Sequence, residues 1–192
     1  MKKTFYAIIA MLSLTQLALG QEQGKFRAGL DLGYAMPDGG GGILISLEPK
    51  YNIADNMSIG LRIESAAMAK NISADEISLE ASLAATISYS GTFDYYFTSN
   101  GSSFAPFMGG GVGYNSLANV GLDIEGFDSN DELEVDGKFG GLIRAGFEAG
   151  KFRLAATYNL VGKTDLEDDA EVKNSYFGIS LGFYVGGGKW KK

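Results

Sequence analysis

From Ile77 to Phe97 the odd positions read Ile, Leu, Ala, Leu, Ala, Ile, Tyr, Gly, Phe, Tyr, Phe, and the even ones Ser, Glu, Ser, Ala, Thr, Ser, Ser, Thr, Asp, Tyr. A period of two held over this length describes a two-faced β-strand, because a helix would scatter the same residues around its axis. The alternation recurs seven more times. Apolar faces run through Phe26–Met36, Ile43–Tyr51, Met57–Ile63, Phe104–Tyr114, Phe139–Phe147, Phe152–Leu160 and Phe177–Val185, with Phe107 an exception on a polar face. Every charged strand residue falls on the polar parity.

The connections alternate as well. Short ones follow the second, fourth and sixth strands (53–56, 98–103, 150–151). Longer or acidic ones follow the others (37–42, 70–76, the 123–137 segment, 164–173). Eight antiparallel strands with this rhythm predict an all-β, up-and-down barrel with both termini at the short-turn end. The 123–137 segment carries seven carboxylates and no base. Its parity continues that of the flanking strands, which predicts a protruding hairpin with a tip near 126–131.

Ahead of the strands, Met1-Lys-Lys, an apolar run from Phe5 to Leu19 and Ala18-Leu-Gly20 form a secretory signal peptide over 1–20, with Gln21 as the mature start. The remainder, 21–192, is read as one domain that ends on its eighth strand. There is no Cys and hence neither a disulfide framework nor a lipidated cysteine. The net charge of −7 argues against nucleic acid as a partner.

Alternation alone leaves open which face looks outward, and that choice separates a membrane barrel from a soluble, lipocalin-like barrel holding a lipophilic ligand. Aromatic residues favour apolar-out. Phe26, Tyr51, Phe93, Tyr95, Phe97, Phe104, Phe147, Phe152 and Phe183 mark the short-turn rim, and Tyr34, Tyr114, Phe139 and Phe177 the other. Two such belts are what amphipathic rings form at lipid headgroups. The polar faces carry the cations Lys25, Arg27, Lys50, Arg62, Lys138, Arg144 and Arg153 against the anions Asp31, Glu48, Glu64, Glu80, Asp94 and Glu148. In a lumen as narrow as eight strands leave, these groups must pair. The expected structural network comprises Arg27, Asp31, Glu48, Lys50, Arg62, Glu64, Glu80, Arg144, Glu148 and Arg153.

The signal peptide, Gly24-Lys-Phe-Arg-Ala-Gly-Leu-Asp-Leu-Gly-Tyr34, the 52–60 turn, Ala105-Pro-Phe-Met-Gly-Gly-Gly-Val-Gly-Tyr114 and the closing Gly178-Ile-Ser-Leu-Gly-Phe-Tyr184 resemble the small outer-membrane β-barrel family of Gram-negative bacteria, OmpA/OmpX-like in architecture. The chain departs from that pattern in its tail Gly186-Gly-Gly-Lys-Trp-Lys-Lys192. The resemblance implies a transmembrane barrel in the cell outer membrane, with periplasmic termini. It also implies outer-membrane lipids and lipopolysaccharide as surroundings, and the barrel-assembly machinery as a partner during insertion.

Catalytic chemistry has little to work with. The absence of His and Cys removes the usual bases, nucleophile pairs and zinc or haem ligands. Glu48 and Glu64 remain as an acid/base pair to set against a structural ion network. The glycine runs Gly39–Gly42 and Gly109–Gly111 lack the Lys-Ser/Thr ending of a phosphate loop and are read as a flexible loop and a lumen-facing strand. Asp128, Asn130 and Glu132 are candidate divalent-cation ligands, although Leu133 stands where a calcium loop needs its turn glycine. The expectation is a non-enzymatic outer-membrane barrel, without cofactor, in a structural or surface-interaction role. A small ion- or solute-passing porin is the alternative, and the soluble ligand-binding barrel a second.

Overall fold

The computed structural model describes residues 22–38, 40–72, 80–97, 103–121, 135–162, 164–165, 171–172 and 174–187. The strands are β1 (Phe26–Pro37), β2 (Gly40–Ala54), β3 (Met57–Ile72), β4 (Glu80–Tyr96), β5 (Phe104–Gly121), β6 (Val135–Ala149), β7 (Phe152–Val161), β8 (Thr164–Asp165), β9 (Glu171–Val172) and β10 (Tyr176–Gly186). Eight of them close into one barrel in the order β1-β10-β7-β6-β5-β4-β3-β2. Every pairing is antiparallel; barrel strands pair with their neighbours in the chain, β7 with β10 past the short β8 and β9, and β1 with β10 closes the seam. Closure leaves no open sheet edge.

The barrel is inverted in polarity. Leu30, Leu32, Ile43, Leu61, Ile143, Leu154 and Leu181 point outward and are exposed, as are Phe26 (74 %), Val112 (75 %) and Phe139 (84 %). Along the same strands Arg27, Asp31, Glu48, Lys50, Arg62 and Arg144 are buried. Alternation by one residue therefore decides lipid-like exterior or lumen, as the sequence pattern requires. The rim aromatics stack in pairs: Phe26 with Tyr51, Phe104 with Phe147 and Phe152 with Phe183 at the short-turn end, and Tyr114 with Phe139 at the other. Cross-strand ring pairs of this kind hold register where the ladder ends.

At the short-turn end the chain crosses from β6 to β7 through Gly150 and Lys151, Gly150 taking φ +63°. A register shift between Asn52 and Ala54 bends β2 into its turn. The two ends of the barrel meet there, the Glu22 amide donating to the Gly187 carbonyl at 2.7 Å.

Several expectations need correction. The segment 37–42 is no long loop, because β1 continues to Pro37 and β2 begins at Gly40. Gly40, Gly41 and Gly42 pair with Lys70, Ala69 and Met68, so this run is strand and not flexible loop. Its glycines serve close packing: the Tyr34 ring covers Gly41, and a side chain on Gly42 would collide with the backbone of Ala67 and Met68. The 164–173 connection contains a two-residue ladder, β8 with β9. Lys25 precedes β1 and is exposed, so it is not a lumen cation. The fourth strand begins at Glu80; its expected start at Ile77 lies outside the described residues. The hairpin expected over 123–137 is paired as far as Ala118 with Val135, and its tip lies outside the described residues.

The seam register gives a prediction. Leu30 stands opposite Phe183, both outward, and the chain has no native Cys. Oxidation of the L30C/F183C variant should cross-link β1 to β10 within one chain, detected as a faster-migrating band on a non-reducing denaturing gel. L30C paired with G182C should not cross-link, since position 182 faces the lumen.

Candidate functional site: the charged lumen

The lumen-facing positions of all the barrel strands converge on one network. Five acids (Asp31, Glu48, Glu64, Asp94, Glu148) meet five bases (Arg27, Lys50, Arg62, Arg144, Arg153), each at most 5 % exposed, so the set is charge-neutral. Neutrality matters because an unpaired buried charge costs several kcal/mol even after relaxation.

Glu48 on β2 and Asp94 on β4 form the centre, and Arg144 on β6 bridges them. Its Nη1 and Nη2 donate to Glu48 at 3.1 and 2.7 Å, and its Nε and Nη2 donate to Asp94 at 2.8 and 3.0 Å. Lys50 Nζ donates to Asp94 and lies 3.5 Å from Glu48. The Thr92 hydroxyl donates to Glu48 at 2.6 Å and that of Tyr184 at 3.2 Å. Toward the loop end, Arg62 Nη1 donates to Asp31 at 2.7 Å while its Nε and Nη2 donate to Glu64 at 2.9 and 2.5 Å. Ser46 donates to the same Asp31 oxygen, and Tyr176 and Asn159 donate to the second oxygen of Glu64. Toward the short-turn end, Arg27 grips Glu148 with two bonds of 2.8 and 3.1 Å, and the Tyr96 hydroxyl donates to the same carboxylate at 2.9 Å.

Arg153 is held differently. Its guanidinium lies 4.0 Å from the Phe107 ring centre and 5.6 Å from that of Tyr184. Its Nη1 donates to the Tyr184 hydroxyl at 2.5 Å, and Nη2 lies 3.4 Å from Asp94. Glycines make room for these groups. Gly109 and Gly182 stand where the carboxylates of Asp94 and Asp31 lie, and Gly29 lies under the Tyr184 ring.

The lumen is not polar throughout. Ala35, Leu44, Ala66, Met68 and Tyr176 form an apolar layer at the long-loop end, and Tyr96, Ala105, Phe107 and Ala155 one at the short-turn end. The loop-end layer caps the network above Asp31 and Glu64, whereas the short-turn residues lie at the level of its lower pairs: Ala105 stands opposite Glu148, and Arg153 precedes Ala155 on β7. These apolar neighbours lower the local dielectric, which strengthens the ion pairs and raises the cost of breaking one.

Nine of the ten expected network residues are thus brought together. The tenth, Glu80, opens β4 opposite Ile72, and its side chain lies outside the described residues. Asp94, the second centre, had the correct parity but was missing from the expected network. Tyr96, Tyr176, Tyr184 and Thr92 were also overlooked as hydroxyl bridges, although each sits on a lumen parity. Glu48 and Glu64 are 0 % and 1 % exposed and bound by arginine, so both are tied into the ion network that fills the lumen. Gly109–Gly111 lies within β5 as expected. Asp128, Asn130 and Glu132 lie outside the described residues. Among the described residues no group of three or more acids forms a metal cluster.

No family model matches the chain, and no curated protein matches it. Solved structures do. The outer membrane protein OprG of Pseudomonas aeruginosa is similar at 14 % identity and TM-score 0.61, over 86 % of this chain and 98 % of that one. Neisserial surface protein A is similar at 17 % identity and TM-score 0.53, over 84 % and 95 %. The fold is that of the eight-stranded outer-membrane barrels. The N-terminal barrel of Pseudomonas aeruginosa OprF is a further neighbour, at 14 % identity and TM-score 0.47.

Removing the bridging arginine tests the network. R144M leaves Glu48 and Asp94 short of their main partner and should lower unfolding stability by about 3–5 kcal/mol, measured by equilibrium urea unfolding in lipid vesicles. Adding E48Q to R144M should recover part of that loss, because the two residues act on one interaction.

Proposed function

We propose that this chain is an exported, integral outer-membrane protein. On this reading a plugged, non-enzymatic barrel carries its long acidic loops on the cell surface, where they serve a structural or surface-interaction role. The observation that carries the reading is the inverted polarity of a closed barrel: an exposed apolar wall outside and a neutral, hydrogen-bonded charge network inside. Hydrocarbon is the solvent in which such a wall is stable, since a closed barrel satisfies every strand amide internally.

The signal peptide over 1–20 supports export, and the resemblance to surface and outer-membrane barrels supports the location. Both barrel ends lie at the short-turn rim, which is then the periplasmic side, and the connections 73–79, 122–134 and 163–173 belong to the outer side. Outer-membrane lipids and lipopolysaccharide surround the wall, and the barrel-assembly machinery acts at insertion. A lipocalin-like role would need an apolar cavity where the ten charges sit, and a porin role would need Arg144, Glu48 and Asp94 to separate.

The loop placement can be checked on intact cells with a protease that cuts after glutamate. The loop-end connections contain Glu76, Glu125, Glu132, Glu134, Glu167 and Glu171, whereas 55–56, 98–102 and 150–151 contain none. Cleavage confined to 73–79, 122–134 and 163–173, in a protein that fractionates with outer membranes, is the expected outcome. A protein untouched on whole cells but cut after lysis contradicts the orientation.

A further inference from the structure

The seam is the one pairing in the ring that no short connection supports. The other pairings join barrel strands that follow one another in the chain, whereas β1 with β10 brings Arg27 opposite Gly186. Bringing such distant segments together carries the largest loop-closure cost of the set.

At the short-turn end further bonds are added to the seam ladder. Residues 22–25 fold back beneath β1 as a turn: the Lys25 amide donates to the Glu22 carbonyl at 3.2 Å, and Gly24, third in the turn, takes φ +79°, as a type II turn requires. The Gln23 amide donates to Asp55 Oδ1 at 2.9 Å and its side chain to the Ile53 carbonyl at 3.2 Å, which ties the turn to the end of β2. The Gly24 amide donates to the Asn52 carbonyl at 2.8 Å, and the Asn52 amide to that of Lys25 at 3.0 Å. None of these bonds involves β10.

This arrangement presents two donors to one oxygen. The Glu22 amide and Asn52 Nδ2 converge on the Gly187 carbonyl at 2.7 and 3.3 Å. Asn52 Nδ2 also donates to the Glu22 carbonyl at 3.1 Å. A single side-chain amide, 0 % exposed, thus joins the segment before β1 to the segment after β10. Two carbonyls facing one nitrogen set which way that amide points. The approach of Gly187 depends on glycine. Gly186 and Gly187 both take φ +85°, and a side chain on Gly186 would meet the Phe26 carbonyl at 2.5 Å, a backbone that glycine alone adopts readily. Lys151 Nζ donates to the Gly186 carbonyl, and the Gly187 amide donates to that of Phe26 at 2.9 Å.

We propose that Asn52 and the Glu22 amide form a latch for the seam. The turn before β1 and the end of β2 build a receptor that takes the Gly187 carbonyl when β10 docks, and it holds β1 to β10 at the short-turn rim. The inference rests on the closed barrel and not on which membrane surrounds it.

Hydrogen exchange of the full barrel, with folding verified by its migration before and after boiling, tests the latch by mass spectrometry over β1 and β10, with β4 and β5 for comparison. N52A removes the shared donor. E22P removes the other, because proline has no amide hydrogen, and it leaves the lumen side chains in place. In each variant the amides of 26–30 and 183–187 should exchange about tenfold faster, as the loss of a hydrogen bond or two allows, while β4 and β5 keep their wild-type rates. S58A is the control: Ser58 stands opposite Asn52 on β3, and its buried hydroxyl makes no hydrogen bond, so its seam should exchange as the wild type does. E22P alone carries the test if N52A fails to fold. Wild-type exchange at the seam of the latch variants overturns the proposal. So does an equal acceleration in β4 and β5, or a seam loosened as far by S58A.

Discussion

The two-sided grip of Arg144 on Glu48 and Asp94 is the interaction on which the interior depends. It ties β6 to β2 and β4 across the lumen, strands that share no backbone ladder. Around it the remaining charges fall into place as pairs: Arg27 with Glu148 below, Arg62 with Asp31 and Glu64 above, and Lys50 against Asp94. A hydrophobic core would fill the same space, but lumen positions alternate with outward-facing apolar ones on every strand. Side chains of opposite character on the two faces are what keep a one-residue slip from being tolerated.

The wall supplies the complementary constraint. In hydrocarbon, apolar burial contributes little to holding strands together, so closure of the hydrogen-bond ladder carries that task. The network inside and the aromatic pairs at both rims add what the ladder lacks, a preference for one diameter and one register. The same logic explains the glycines. Gly109 and Gly182 yield lumen space to Asp94 and Asp31, and Gly41 and Gly137 lie beneath Tyr34 and Tyr114 at the loop rim. Ring-over-glycine packing there covers backbone that would otherwise be bare near the end of the ladder.

Much of this was legible in the strand pattern. Apart from Lys25, parity placed the inward charges correctly, and with them the outward Leu and Ile residues and Phe107, because side-chain period in a strand is two and the one register shift, between Asn52 and Ala54, falls at the end of β2. Partner choice was not legible. Glu48 meets Tyr184 across 136 positions and Arg144 across 96, contacts set by the stagger of the closed sheet, which no local pattern encodes. Asp94, named among the lumen anions, was left out of the expected network for that reason, and the apolar layer of Leu44, Met68 and Ala66 went unrecognised because its parity matched the polar face and its character did not. Gly40–Gly42 misled in the opposite direction. A glycine run reads as a loop, yet here it allows β2 to approach β3 and Tyr34 closely.

A filled lumen is what separates a plugged barrel from a channel. Single-channel recording of the purified barrel in a planar bilayer measures it most directly. The network of Arg144, Glu48, Asp94 and their neighbours, capped by an apolar layer at the loop end and packed against Tyr96, Ala105 and Phe107 at the other, predicts a silent wild-type protein. Glycine replacement of Arg144, Glu48 and Asp94 together should open a steady conductance. A wild-type protein that conducts steadily, at a level those replacements do not change, would contradict it.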